Sequence, residues 1–207
     1  MIEKKWYPIF FMFVVTAIFS SFVIGFTQTT LSRVKANEKL IFEKAVLAVF
    51  PELYNSVKNA SGIETHNAFV KNIKEPDEQT GSAYSYRIDN KVKGYAVTVK
   101  GEGFWAPIKA IIGVDADKKT VMGFAVYQQS ETPGLGAEIS KPEFRKQFEN
   151  KLLSKDAQFL TIKRPGSPLN ESSVHAITGA TQTSVRLEKI INDGLKKWQE
   201  SMPKETK

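Results

Sequence analysis

The chain has 207 residues, a formal net charge of +7, no cysteine and two histidines, His66 and His175. That length suits one domain with an appendage. The composition excludes a structural disulfide, a thiolate-held iron–sulfur cluster and a cysteine nucleophile, and it leaves too few imidazoles for a histidine-rich metal site, so redox chemistry here needs a cofactor.

The apolar stretch comes first. Trp6 to Ser32 carries no charge, and Ile9 to Phe26 is mostly Phe, Val and Ile. As a helix it is long enough to cross a bilayer of roughly 30 Å. A cleaved signal would have a shorter apolar run and end in a small-x-small site, so residues 1–32 read as a permanent anchor. Pro8 sits at the helix entry, and Trp6 and Tyr7 suit the interfacial aromatic belt. The anchor is predicted to continue as a helix from Arg33 to Val49, with Leu40, Ile41, Ala45, Ala48 and Val49 as its apolar side, ending at Phe50-Pro51. Residues 33–80 form a helical linker and the start of a soluble domain, with Ser56 to Gly81 polar and irregular.

Across residues 81–200 the period changes to two. Tyr84, Tyr86 and Ile88 alternate, then Tyr95, Val97 and Val99, then Ile108, Ala110, Ile112 and Val114, then Val121 to Tyr127, a meander of short antiparallel strands. Ser140-Lys141-Pro142-Glu143 reads as a capping box for a helix with Phe144, Phe148 and Leu152 on one face. Phe159 to Lys163 and Ser173 to Ile177 read as strands. Leu187, Ile190, Ile191, Leu195 and Trp198 fall on one side of a closing helix, and 201–207 is a polar tail. The fold class is α+β, with helices packed on an antiparallel sheet and Val97, Ile112, Phe124 and Val126 in the core. Phe104 and Trp105 suit a cofactor wall about as well as an interface or core role.

Thr178-Gly179-Ala180-Thr181-Gln182-Thr183 joins the last strand to the last helix. Two readings of it stand. The hydroxyls are ordinary helix caps beside a turn glycine. Alternatively, the unpaired N–H groups and positive dipole end of the helix receive a phosphate, with Thr181 beside it and no side chain at Gly179 to block approach. Upstream, Ser130-Glu131-Thr132-Pro133-Gly134-Leu135-Gly136-Ala137-Glu138 holds a Pro-Gly turn, and Gly136 leaves a gap where a flat ring can near the backbone.

Both segments resemble signatures of the FMN-binding family that includes the G subunit of the Rnf complex and the C subunit of the sodium-pumping NADH:quinone reductase. Glu131 to Gly136 is similar to its Glu-Thr-Pro-Gly-Leu-Gly signature, and Thr178 to Thr181 to the end of its flavinylation motif. Gly101 to Ile108 is a weaker third match. The resemblance implies FMN bound through its phosphate to the Thr181 hydroxyl, attached by a dedicated flavin transferase. The pocket it implies contains Thr178, Gly179, Ala180, Thr183, Glu131, Thr132, Pro133, Gly134, Leu135 and Gly136. One position departs: the family has Asp six residues before the modified threonine, and here that residue is His175.

The implied function is that of an electron-transfer flavoprotein subunit in an ion-translocating membrane complex, acting with other membrane subunits and completing no reaction alone. The short chain tilts the reading to the Rnf type. The alternatives are the reductase's C subunit and an anchored module holding FMN noncovalently. The positive charges are scattered, with no basic cluster beyond Lys196-Lys197, so contact with the lipid bilayer is expected and nucleic-acid binding is not. Lys4 and Lys5 precede the span and Arg33, Lys35, Lys39 and Lys44 follow it, so charge counting does not favour an external domain. The resemblance places the domain on the periplasmic or extracytoplasmic side of the cytoplasmic (inner) membrane, and the expectation follows it.

Overall fold

The computed structural model describes residues 6–155 and 158–203. The chain divides into two units, residues 1–40 and 41–207. Helix α1, Trp6–Ala48, is long and apolar enough to cross a membrane. In the first unit its aromatic side chains face outward, and the hydroxyls of Thr27 and Thr30 donate to the carbonyls of Val23 and Phe26 one turn back. Such back-bonding leaves few polar groups unmet in a bilayer.

In the second unit five antiparallel strands pair in chain order: β1 (Ile73–Lys74), β2 (Tyr84–Ile88), β3 (Lys91–Glu102), β4 (Pro107–Asp115) and β5 (Val121–Gln128). The period-two pattern is realised in β3 and β4, where Val97 pairs with Ile112 and Val99 with Ala110. These residues share one core with Phe124, Leu187, Ile190, Ile191, Leu195 and Trp198. The last five lie along α5, Thr181–Ser201, which packs on that face. Val126 is partly buried against the same core.

The opposite face is covered as well. Ala96, Ile111 and Ala125 pack with Val46, Leu47, Val49, Phe50, Leu53 and Val57. These come from the last turn of α1, the bend after it and α2 (Pro51–Val57). Residues Ile108 to Val114 are therefore nearly all apolar, as a strand buried on both faces requires. The expectation of an irregular 56–81 segment is wrong. Residues Gly62–Asn72 form α3, opened by a true capping box: the Glu64 N–H donates to the Ser61 hydroxyl, and the Ser61 N–H to the Glu64 carboxylate at 2.7 Å.

Two further expectations are corrected. Ser140 caps no long helix. It ends a 3₁₀ turn, Gly136–Ser140, and the next element is a single turn, α4 (Pro142–Arg145), with Lys141 at its start and no side-chain cap. The run then tightens to 3₁₀ at Lys146–Phe148, while Leu152 bridges to Thr120. Phe144 and Phe148 are nonetheless buried against Phe124, the second with rings 4.5 Å apart, so the apolar spacing serves the core through a shorter turn. The last two strands, β6 (Thr161–Lys163) and β7 (Ser173–His175), pair parallel in a separate small sheet. Glu188 and Asn192 of α5 accept the N–H groups of Ile162 in β6 and of Leu160 just before it, which ties the small sheet to α5.

Candidate functional site

Two turns of the same kind bring the site together. The Leu135 N–H donates to the Thr132 carbonyl across Pro133-Gly134, with Gly134 at φ 74°. The Ala180 N–H donates to the Ile177 carbonyl across Thr178-Gly179, with Gly179 at φ 76°. Both match a type II turn, whose third residue has to take positive φ. The turns touch: a Cβ on Gly179 would lie 3.0 Å from Leu135 Cδ2.

Between them lies a cavity of about 360 Å³. Gly179 to Thr183 form one side, Glu131, Thr132, Leu135 and Gly136 another, and Phe104 and Trp105 a third. Eight of the residues expected from sequence thus meet here. Thr178 and Gly134 instead line a neighbouring groove with Lys141 and Gln147, and Pro133 lines neither. Gln182 was not singled out from sequence, although it sits inside the motif. Phe104 and Trp105 were left open, and the structure sets them on the cavity as an edge-to-face pair with centroids 5.0 Å apart. The Trp105 indole N–H donates to the Thr132 hydroxyl at 3.1 Å.

The capping reading is not what the structure shows. Ala180 is the N-cap of α5 and no side chain caps it. The N–H groups of the first three residues of α5, Thr181 to Thr183, have no intrahelical acceptors by geometry, and these residues line the cavity. Thr181 is the first helical residue, is exposed, and its hydroxyl has no hydrogen bond among the described residues. Thr183 is the opposite case, 4% exposed and donating at 2.6 Å to Glu131 Oε2. Ser184 turns inward too, donating to the Ala180 carbonyl and accepting the Ile177 N–H.

Glu131 is 5% exposed and ties the cavity walls together. Its Oε1 accepts the N–H groups of Phe104 and Trp105 at 2.9 and 3.1 Å, and its Oε2 accepts the Thr183 hydroxyl. The gap expected at Gly136 is filled: a Cβ there would lie 2.5 Å from Thr183 Oγ1 and 2.9 Å from Glu131 Cβ. Gly136 is small so that Glu131 and Thr183 can meet, which the sequence could not reveal. His175 stands at the end of β7 with its backbone held by Gln147, and its Nδ1 is buried without a hydrogen-bond partner among the described residues.

Residues 103–196 match the family described as FMN-binding domain. The chain is 38% identical over 51% of its length to the C subunit of the Na(+)-translocating NADH-quinone reductase of Vibrio anguillarum, covering 42% of that protein. It is 35% identical over 54% of its length to the G subunit of the proton-translocating ferredoxin:NAD(+) oxidoreductase complex of Clostridium ljungdahlii, covering 57% of it. The chain thus spans about half the length of the curated relatives it matches. The crystal structure of the C subunit of the Na(+)-translocating reductase from Parabacteroides distasonis superposes with a TM-score of 0.71 at 26% identity, covering 85% of this chain and 98% of that one. The tilt toward the Rnf type finds no support in these values, since both subunit kinds match at similar identity.

The cavity fits such a group. Its volume is in the range of small-molecule sites. It joins a helix start suited to a phosphate with aromatic side chains suited to a ring, and the Glu131 carboxylate on it is already taken up by internal donors. Residues 103–196 match the FMN-binding domain family, and FMN is the cofactor that this cavity suits.

Proposed function

We propose that this chain is a membrane-anchored electron-transfer subunit of an ion-translocating oxidoreductase complex, of the kind to which its NADH-quinone reductase and ferredoxin:NAD(+) oxidoreductase relatives belong. In this reading FMN is joined through its phosphate to the Thr181 hydroxyl. The observation that carries it is the contrast between two threonines two residues apart. Thr181 presents an uncommitted hydroxyl to the cavity at the helix start, whereas Thr183 is buried and bonded to Glu131.

FMN supplies the one- and two-electron chemistry. The chain's own residues do the rest. The first-turn N–H groups of α5 receive phosphate charge, helped by the helix dipole. Phe104 and Trp105 exclude water from one side of the ring. The Pro133-Gly134 and Thr178-Gly179 turns set the distance between the walls. A dedicated flavin transferase attaches the group, other membrane subunits deliver and remove electrons, and the domain lies on the extracytoplasmic side of the bilayer that α1 crosses.

His175 favours a second reading, in which FMN is held noncovalently, because an imidazole cannot supply the fixed negative charge of an Asp. Flavin fluorescence in a denaturing gel separates the two. The native chain should fluoresce, Thr181→Ala should not, and Thr183→Ser, which keeps the hydroxyl on Glu131, should. A dark native band means noncovalent FMN, and a bright Thr181→Ala band moves the attachment elsewhere.

A further inference from the structure

Glu131 is a buried carboxylate with no cationic partner among the described residues. Its charge is met by three neutral donors: the N–H groups of Phe104 and Trp105 and the hydroxyl of Thr183. These donors belong to two segments remote in sequence, the turn between β3 and β4 and the first turn of α5. Glu131 itself is placed by a third, since its own N–H donates at 2.6 Å to the side chain of Gln129 just beyond β5. Two sites with no room for a side chain pack onto it. A Cβ on Gly103 would lie 2.6 Å from Glu131 Oε1, and one on Gly136 would lie 2.9 Å from Oε2. The carboxylate is therefore enclosed, and it cannot turn to the cavity without releasing the aromatic wall.

We propose that Glu131 is a positioning residue: its cation-free carboxylate holds Phe104 and Trp105 in place against α5, and its charge lowers the reduction potential of the flavin beside it. The proposal rests on the reading of the cavity as the flavin site. Its first half follows from the hydrogen bonds. Donors to an ionised acceptor make the stronger class of hydrogen bond, and losing the acceptor strands two N–H groups. Its second half follows from Coulomb's law. Reduction adds electrons to the ring, and a fixed negative charge in a site of low polarisability raises the energy of the reduced form relative to the oxidised one. A merely structural residue would show the first effect and not the second.

Two measurements on the full chain in detergent test it. The first needs no flavin and is made in a Thr181→Ala background. The Phe104 and Trp105 amides should be protected from hydrogen exchange, Glu131→Ala should speed both by at least about tenfold, and Glu131→Gln, whose amide oxygen still accepts them, should change them little. Equal rates in Glu131→Ala and its parent overturn the positioning role. The second is the midpoint potential of the flavin-loaded chain. Glu131→Gln should raise it, and Glu131→Asp, which keeps the charge, should stay near the native value. An unchanged potential in Glu131→Gln, or equal rises in both, overturns the charge assignment. Should Glu131→Gln fail to retain flavin, Thr183→Val is read instead. It strips the hydroxyl that partly neutralises the carboxylate and should lower the potential, and no movement overturns the assignment. Absence of flavin from the native chain would instead sink the reading on which the proposal rests, and the exchange measurement would still stand.

Discussion

Gly136→Ala is a small change with a large expected effect. The added methyl would sit 2.5 Å from Thr183 Oγ1 and 2.9 Å from Glu131 Cβ and Oε2. No side chain fits at those distances, so either the 3₁₀ turn shifts or Thr183 rotates away from Glu131. Overpacking of this sort costs about 1–3 kcal/mol. Breaking a buried hydrogen bond to a carboxylate costs about 1.5–3 kcal/mol. One displacement causes both losses, so a net of about 2–4 kcal/mol is the working figure. At about 2–4 °C per kcal/mol for a domain of this size, Tm should fall by about 5–15 °C. Thermal melts followed by tryptophan fluorescence read it, with buried Trp198 as the reporter. Thr183→Ala should fall by less, and the Gly136→Ala/Thr183→Ala double variant by clearly less than the sum, because the second change removes the atom that the first one strikes. Additive losses, or a neutral Gly136→Ala, would refute the packing argument.

Thr181→Ala should leave the melt within about 0.5 kcal/mol of native, since its side chain is exposed and unbonded among the described residues, and a large loss would give it a structural role instead. Ser61→Ala should cost about 1 kcal/mol by removing the capping box of α3, read as a lower urea midpoint with unchanged slope. The Asp117 carboxyl is raised by burial, but N–H donation from Lys119 and Thr120, the Thr120 hydroxyl and the Lys119 charge outweigh this and hold it below the usual carboxylate range. A folded pKa below the unfolded one gives stability that is present above about pH 4 and lost as pH falls through the folded value, so Asp117→Asn should flatten the acid side of a urea-midpoint-against-pH curve. For the side of the membrane, Lys197→Cys gives a single exposed thiol on α5 in a chain without cysteine. A membrane-impermeant thiol reagent should label it in cells with a permeabilised outer envelope, and labelling only after the cytoplasmic membrane is opened would put the domain inside.

The legible part of the sequence was the part that repeats. Alternation through Val97, Val99, Ile108, Ala110 and Ile112 gives the meander, and the spacing of Leu187 to Trp198 gives the buried stripe of α5. Short elements marked only by a cap were not legible, because a cap pattern has no period to confirm it. Ser61-x-x-Glu64 caps a helix and Ser140-x-x-Glu143 does not, and only the second was read as a cap. The difference lies in the residues before each serine: Ser140 is already committed to a 3₁₀ turn. In the site, both turns could be read from Pro133-Gly134 and Thr178-Gly179. The role of Glu131 could not, since its partner Thr183 lies 52 residues away and Phe104 lies 27 away. Nothing local in the sequence marks that carboxylate as an inward-facing anchor for two segments. Ile111, on the face of β4 away from α5, lies between the alternating residues, and it marks a second covering layer only once the end of α1 and α2 are seen packed against it.

The central claim is that FMN is bonded to Thr181, and the intact mass of the denatured full chain tests it most directly. The chain is purified from membranes of a host that carries the flavin transferase, and native and Thr181→Ala forms are compared. The native mass should exceed that of the polypeptide by FMN less one water, and the Thr181→Ala mass should equal the polypeptide alone. A native chain at the bare polypeptide mass, or a Thr181→Ala chain that keeps the added group, would contradict it.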